Sequence, residues 1–159
     1  MTALARIATT DDLPLLVELY GILAEEMAEY SDLWGVADGL AEPIADSWKR
    51  VLTGDDHVTV VGCFGDHPLG FLVARVEPVL AQGAGMRIGA IRLVFVEKEA
   101  RAVGVGEAMR DVALDNLRGR GISRFDAHVL PGHRHAKNFF EQGGFSARHI
   151  VMHHNDDDD

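Results

Sequence analysis

The stretch Val94-Phe95-Val96-Glu97-Lys98-Glu99-Ala100-Arg101-Ala102-Val103-Gly104-Val105-Gly106-Glu107-Ala108-Met109 decides the reading of this chain. A β-branched apolar run passes through charged residues into a loop with glycines at 104 and 106, and then into a helix-forming segment. The first amides of such a helix have no intrahelical acceptor and carry the positive end of its dipole. Glycines at those two positions let a ligand come close to the backbone. The combination predicts an anion-binding cradle suited to a pyrophosphate, with Arg101 as a cationic partner. Two other phosphate motifs do not apply: the loop lacks the Gly-Lys-Ser/Thr ending of a P-loop, and it lacks the third glycine and βαβ start of a dinucleotide fold.

Working outward, Leu4 to Ala8 reads as a first strand, and Thr10, Asp11 and Asp12 ahead of Pro14 form a helix start. From Leu13 to Tyr30 apolar residues recur at three- and four-residue steps, the period of an amphipathic helix, and a second helix is expected over 44–52. Then the period changes. His57 to Phe64 and Gly70 to Val79 read as a hairpin around Gly65-Asp66-His67-Pro68. Arg87 to Val96 is apolar enough for a central strand. A helix over 104–119, a strand over 123–130, a helix over 135–142 and a last strand over 145–152 complete the chain. The order β-α-α-β-β-β-α-β-α-β predicts an α/β (α+β) fold: a mixed, mostly antiparallel sheet with helices on both faces. Residues 1–152 form one domain in this reading, and 153–159 an acidic, disordered tail.

Composition narrows the function. With 159 residues and 47% hydrophobic content the chain is an ordinary globular domain. Fifteen Lys and Arg against 25 Asp and Glu give a net charge of −10, which repels a phosphate backbone and disfavours nucleic-acid binding. No apolar run approaches the ~20 residues of a membrane span, and no signal peptide is expected. The single cysteine, Cys63, excludes an internal disulfide and suits a reducing cytoplasm. His153 and His154 have no second cluster with which to build a metal site, so none is expected.

The pattern Arg101-x-x-Gly104-x-Gly106 after Val94-Phe95-Val96 resembles the acetyl-CoA signature of the GNAT superfamily. The later segment His133-Arg134-His135-Ala136-Lys137-Asn138-Phe139-Phe140, followed by Gly144-Phe145, resembles that family's second motif, usually Asn-x-x-Ala-x-x-Phe-Tyr with a following Gly-Phe. The opening Arg6 to Pro14 is similar to a common start of these proteins. The resemblance in element order runs to about residue 152. It implies a GNAT-like fold, acetyl-CoA as co-substrate, and an N-acetyltransferase that acts on a primary amine of a small molecule or peptide. By the same resemblance, the amides of Ala102, Val103, Gly104, Val105, Gly106 and Glu107 hold the pyrophosphate. Val94, Phe95 and Val96 line the pantetheine arm, Val94 and Val96 pairing with it like a neighbouring strand. The arm lies in a cleft near His133, Ala136, Phe139 and Phe140. A strand amide near Val96 stabilises the oxyanion of the attacked thioester. Such folds often form homodimers.

The chain departs from that pattern at two places. Phe140 stands where the family often has a tyrosine that protonates the departing thiolate, and phenylalanine has no proton to give. His133 stands where asparagine is common. The base is open among three candidates, Glu77, Glu97 and His128, each with a plain structural alternative. Arg92, in the central strand, favours an acceptor with a carboxylate or phosphate if it faces the cleft. Tyr30 and Trp34, with the acids Glu25, Glu26 and Glu29, form either an acceptor wall suited to an amine or one solvated helix face. Loss of the acid at position 140 also admits a second reading, a non-catalytic acyl-CoA-binding or interaction domain.

Overall fold

The computed structural model describes residues 1–157; the last two aspartates of the tail, Asp158 and Asp159, lie outside the described residues. Strand β1 (Ala3–Ile7) leads into helix α1 (Leu13–Ala28) through one 3-10 turn, Thr10–Asp12. Asp12 closes this entry. It accepts from the Thr9 N–H at 2.8 Å and from both ends of the Arg6 guanidinium at 2.8 Å. Pro14 sits in the first turn, where its missing N–H costs nothing. A single turn α2 (Trp34–Ala37) and helix α3 (Ile44–Thr53) follow.

Strands β2 (His57–Phe64), β3 (His67–Pro78) and β4 (Arg87–Val96) form an antiparallel meander. Helix α4 (Val105–Gly119) crosses back to β5 (Phe125–Ala127), and α5 (Arg134–Gln142) is the last regular element among the described residues. The sheet order is β1-β2-β3-β4-β5, antiparallel throughout except for the parallel pair β4–β5. The expected mixed sheet with helices on both faces is therefore what the chain forms.

Strand alternation divides the core in two. Val61, Phe71, Val73, Leu93 and Phe95 meet α1 and α3 on one face, where Trp48 stands edge-on to Phe71 at 5.3 Å. Val60, Leu72, Ala74 and Ile91 meet Val105, Met109, Ala113 and Leu117 of α4 on the other. Helix α4 lies close to β2 because Gly62 has no side chain; a Cβ there would come within 2.7 Å of Met109 and Val105.

Two expectations at the C-terminal end are corrected. The strand expected over 123–130 is only three residues long, because β4 leaves the parallel register beyond Ile91. The last strand expected over 145–152 does not form. Phe145 packs on Phe140 and Arg148 pairs with Asp126 of β5, but side chains make these contacts, not a backbone ladder. A cavity of about 520 Å³ lies between this segment, β5, α4 and α5. Ile150, Val151 and Met152 are exposed, with no apolar surface beneath them to hold a strand in place.

Candidate active site

One irregularity in β4 creates the site. The β3–β4 register runs Val73 to Leu93 and Ala74 to Ile91, so Arg92 is an extra residue, a β-bulge. Before the bulge, the backbone of Gly89 and Ile91 faces β5: the Gly89 N–H donates to Arg124 C=O and the Ile91 C=O accepts from His128 N–H. After it the phase is reversed, since the Glu97 N–H donates to Leu69 on the β3 side. Alternation then turns the backbone groups of Val94 and Val96 away from β3, toward the gap left where β5 ends. The bond between Ile91 and His128 (3.1 Å) is the last tie before the two strands part.

The far end of this gap is the loop at 101–104. Gly104 is the N-cap of α4 at φ 95°, a left-handed conformation that glycine adopts without penalty. Ala102 shares the left-handed region at φ 78°. The first closure of the helix is Ala108 N–H to Gly104 C=O, at 3.0 Å. Ahead of it, the N–H groups of residues 102–107 donate to no acceptor among the described residues. A concave run of free amides at the positive end of a 15-residue helix is suited to a phosphate or pyrophosphate. Gly106 brings α5 near, since a Cβ there would meet the Phe139 ring at 3.0 Å. Arg110 covers the outer side of that ring at 4.8 Å and donates to the Phe139 carbonyl.

Arg101 does not turn its charge to this cradle. Its Nε donates to Val96 C=O at 2.8 Å and its Nη2 to Glu26 of α1, also at 2.8 Å. The Glu26 carboxylate lies 3.9 Å from His133 Nε2, and Tyr30 stacks on the His133 ring at 4.7 Å. Glu26 and His133 are each 12% exposed, so neither is a solvated surface group. Desolvation lowers the His133 pKa, and the nearby Arg101 charge acts the same way against the pull of Glu26. Sequence reasoning left Glu26 among the acids of a helix face; the pairing with Arg101 becomes visible only once α1 is laid over the end of β4.

At the other end of the gap, three residues singled out separately in the sequence come together. Arg92 donates from Nε to Glu77 Oε1 at 2.7 Å, and its Nη1 lies 3.4 Å from His128 Nδ1. His128 keeps an exposed edge, yet desolvation of its ring, joined by the Arg92 charge, pushes its pKa below the usual imidazole value. Both influences favour the uncharged ring, which lies beside the point where the strands part. Glu97, the third candidate, follows β4 at its opposite end, five residues beyond Arg92 or about 17 Å along an extended strand, and does not join this group.

The remaining candidates divide between cleft and core. Val94 and Val96 turn their backbone to the gap while their side chains pack on the α4 side, whereas Phe95 is buried on the α1 face against Phe71. Ala136 is buried and Phe139 half-buried beside the cradle. Phe140 is 3% exposed and packs between Phe139 and Phe145, so it is a core residue. Trp34 is also a core residue, buried against Tyr20 at 6.0 Å, and is corrected from the acceptor wall; Tyr30 keeps its exposure.

The meander thus splits at a bulge, and free amides lie at the end of the split, an arrangement suited to an extended, anion-tipped ligand. The model of the Acetyltransferase (GNAT) family matches residues 19–145, and the chain belongs to that family. Among curated proteins it is similar to the mycothiol acetyltransferase of Geodermatophilus obscurus, 30% identical over 87 residues, and to that of Beutenbergia cavernae, 36% over 58 residues. These stretches cover 55% and 36% of this chain but only 28% and 20% of the two relatives, so the chain spans less than a third of their length in the matches. Among solved structures, a transcriptional regulator from Bacillus halodurans C-125 superposes with a TM-score of 0.75 at 22% identity, over 96% of this chain and 99% of that one. A ribosomal-protein-alanine N-acetyltransferase from Brucella melitensis biovar Abortus 2308 gives 0.73 at 14%, over 98% and 99%. These identities establish the shared fold. No helix among the described residues is long and apolar enough to cross a membrane. No group of three or more His, Cys, Asp or Glu among them is placed to hold a metal.

Proposed function

We propose that this protein transfers an acetyl group from acetyl-CoA to a primary amine of a small molecule or peptide, by direct attack in a ternary complex in the cytoplasm. The observation that carries the reading is the bulge at Arg92, which turns Val94 and Val96 to an open edge that ends at the free amides of residues 102–107. That edge and that cradle suit the amide-bearing arm and the pyrophosphate of a coenzyme A thioester. The amine nitrogen forms a bond to the carbonyl carbon, the carbon–sulfur bond breaks, the sulfur leaves as a thiolate, and the nitrogen's second proton passes through water to that thiolate, leaving a neutral amide and a free thiol. The Val94 N–H, facing the gap, is a donor suited to the oxyanion. An alkylammonium with a pKa near ~10.4 must lose a proton first, at about 4.6 kcal/mol at pH 7. His128, neutral and exposed at one edge, takes that proton directly or through water. Phe140 supplies none to the thiolate, but a thiol with a pKa near ~8.5 departs without a dedicated acid at a cost of roughly 10²–10⁴ in rate.

A second reading, an acyl-CoA-binding domain without catalysis, draws on that same Phe140. Calorimetric titration of acetyl-CoA together with a thiol-release assay over an amine panel separates the two. Micromolar binding that Gly104→Glu abolishes, together with thiol release that an amine stimulates, supports the enzyme. Binding without release supports the binding domain, and no binding at millimolar acetyl-CoA defeats both.

A further inference from the structure

The face of the sheet that carries α1 and α3 changes character at Arg92. On one side of the bulge lie the buried Val73, Leu93 and Phe95; on the other the same face is charged. Arg75 of β3, Ala90 of β4 and Asp126 of β5 are register partners in one row, and Glu77 lies two residues beyond Arg75 on the same face. Arg75 contacts Glu77 at 3.5 Å, Arg92 contacts it at 2.6 Å, and Arg148 reaches back to Asp126 with Nε at 2.8 Å. Three guanidinium groups thus surround two carboxylates.

Exposure decides which sign this face shows. The Glu77 and Asp126 side chains are each 20% exposed, while Arg92, Arg75 and Arg148 are 37%, 49% and 63% exposed. The acids are covered and the guanidinium groups face outward. Arg75 touches Glu77 through Nε and Arg148 touches Asp126 through Nε and Nη2, so terminal N–H groups of both remain for a ligand. Between them Ala90, fully buried, keeps the floor low. This cationic patch lies on a chain of net charge −10, beside His128 and the splay point.

We infer that the acceptor is an amine that also carries an anionic group, a carboxylate or a phosphate, which Arg75 and Arg148 hold while its nitrogen lies near His128. This deepens the acetyltransfer reading and rests on it. Charge-assisted hydrogen bonds of this kind separate a charged ligand from its neutral analogue by about tenfold or more.

The test compares matched acceptors, β-alanine with β-alaninamide and phosphoethanolamine with ethanolamine, with spermidine as the cationic extreme. Thiol release gives kcat/KM for each, and calorimetry gives the affinity of each without turnover. The expected result is at least a tenfold advantage for one anionic member over its neutral analogue; which pair shows it tells carboxylate from phosphate. Arg75→Gln and Arg148→Gln shrink that ratio severalfold while the variants keep their acetyl-CoA affinity, which shows that they are folded. Equal rates within both pairs, or a preference for spermidine, overturn the inference. If no amine releases thiol, the acetyltransfer reading fails, and the calorimetric arm alone decides whether the patch selects anions.

Discussion

Glu26 and Arg101, 75 positions apart in sequence, meet at 2.8 Å in a contact where both side chains are largely covered. The same arginine caps Val96 C=O, and the same carboxylate faces His133. The last turn of α1 thus bridges the end of β4 and the start of α5, the two rims of the gap. Truncation at Glu26→Ala leaves a covered guanidinium without its acid. A loss of about 1–3 kcal/mol is expected in urea denaturation, with partial recovery in Glu26→Gln, whose amide oxygen still accepts. Equal stability of all three proteins would mean that the pair does not hold the rims together.

Phe140→Tyr returns the hydroxyl found at this place in the family. In this chain the ring lies inside the core between Phe139 and Phe145. A hydroxyl added to this covered ring has to be accommodated among apolar neighbours, and the expected outcome is a loss of about 1–3 kcal/mol with no gain in rate. A faster enzyme of unchanged stability would show that the edge of this ring opens on the cleft.

The rate should carry an acid limb set by His128. Its imidazole pKa lies below the ordinary 6.5, first through desolvation and then through Arg92, against the opposing pull of Glu77, Asp126 and Asp38. The neutral, proton-accepting form is therefore present above that depressed value, and kcat/KM rises through it as pH increases from the acid side. Above neutrality the acceptor's own ammonium imposes a separate limb. His128→Gln should remove the acid limb and lower the rate by roughly 10²–10⁴. Persistence of the limb in that variant assigns it to another group.

Acid stability should depend on Asp12. Hydrogen bonds from Arg6, joined by the Thr9 N–H, hold its pKa below the ordinary carboxylate value despite burial. The folded state therefore binds this proton less readily than the unfolded chain. The stabilisation is fully present above the unfolded value of about 3.9 and is lost as pH falls through the lower folded one. Denaturation midpoints between pH 2.5 and 7 should fall more steeply at the acid end in the parent protein than in Asp12→Asn. Parallel profiles would remove Asp12 from the acid response.

Much of this molecule was legible in order of residues alone. The β4 boundaries, the hairpin before it and the helix opening at Gly104-Val105-Gly106 follow from local periodicity and turn chemistry, which act within a few residues. The free amides ahead of α4 were equally local, because a helix start and a glycine at a left-handed position need only neighbouring sequence. What tertiary structure alone decided is where long side chains end. Arg101 sits next to the cradle in sequence yet bonds Glu26 and Val96, because α1 crosses over the end of β4. Glu77, Arg92 and His128 belong to three strands, and only the bulge and the strand register bring them together. Trp34 and Phe140 stood as site residues by resemblance to the family, but packing buries both. The final apolar stretch has the composition of a strand, but a strand requires a ladder partner, and β5 is too short to offer one. Turns and helix starts are set by nearest neighbours; a strand's pairing and a side chain's partner are set by what the rest of the chain folds against them.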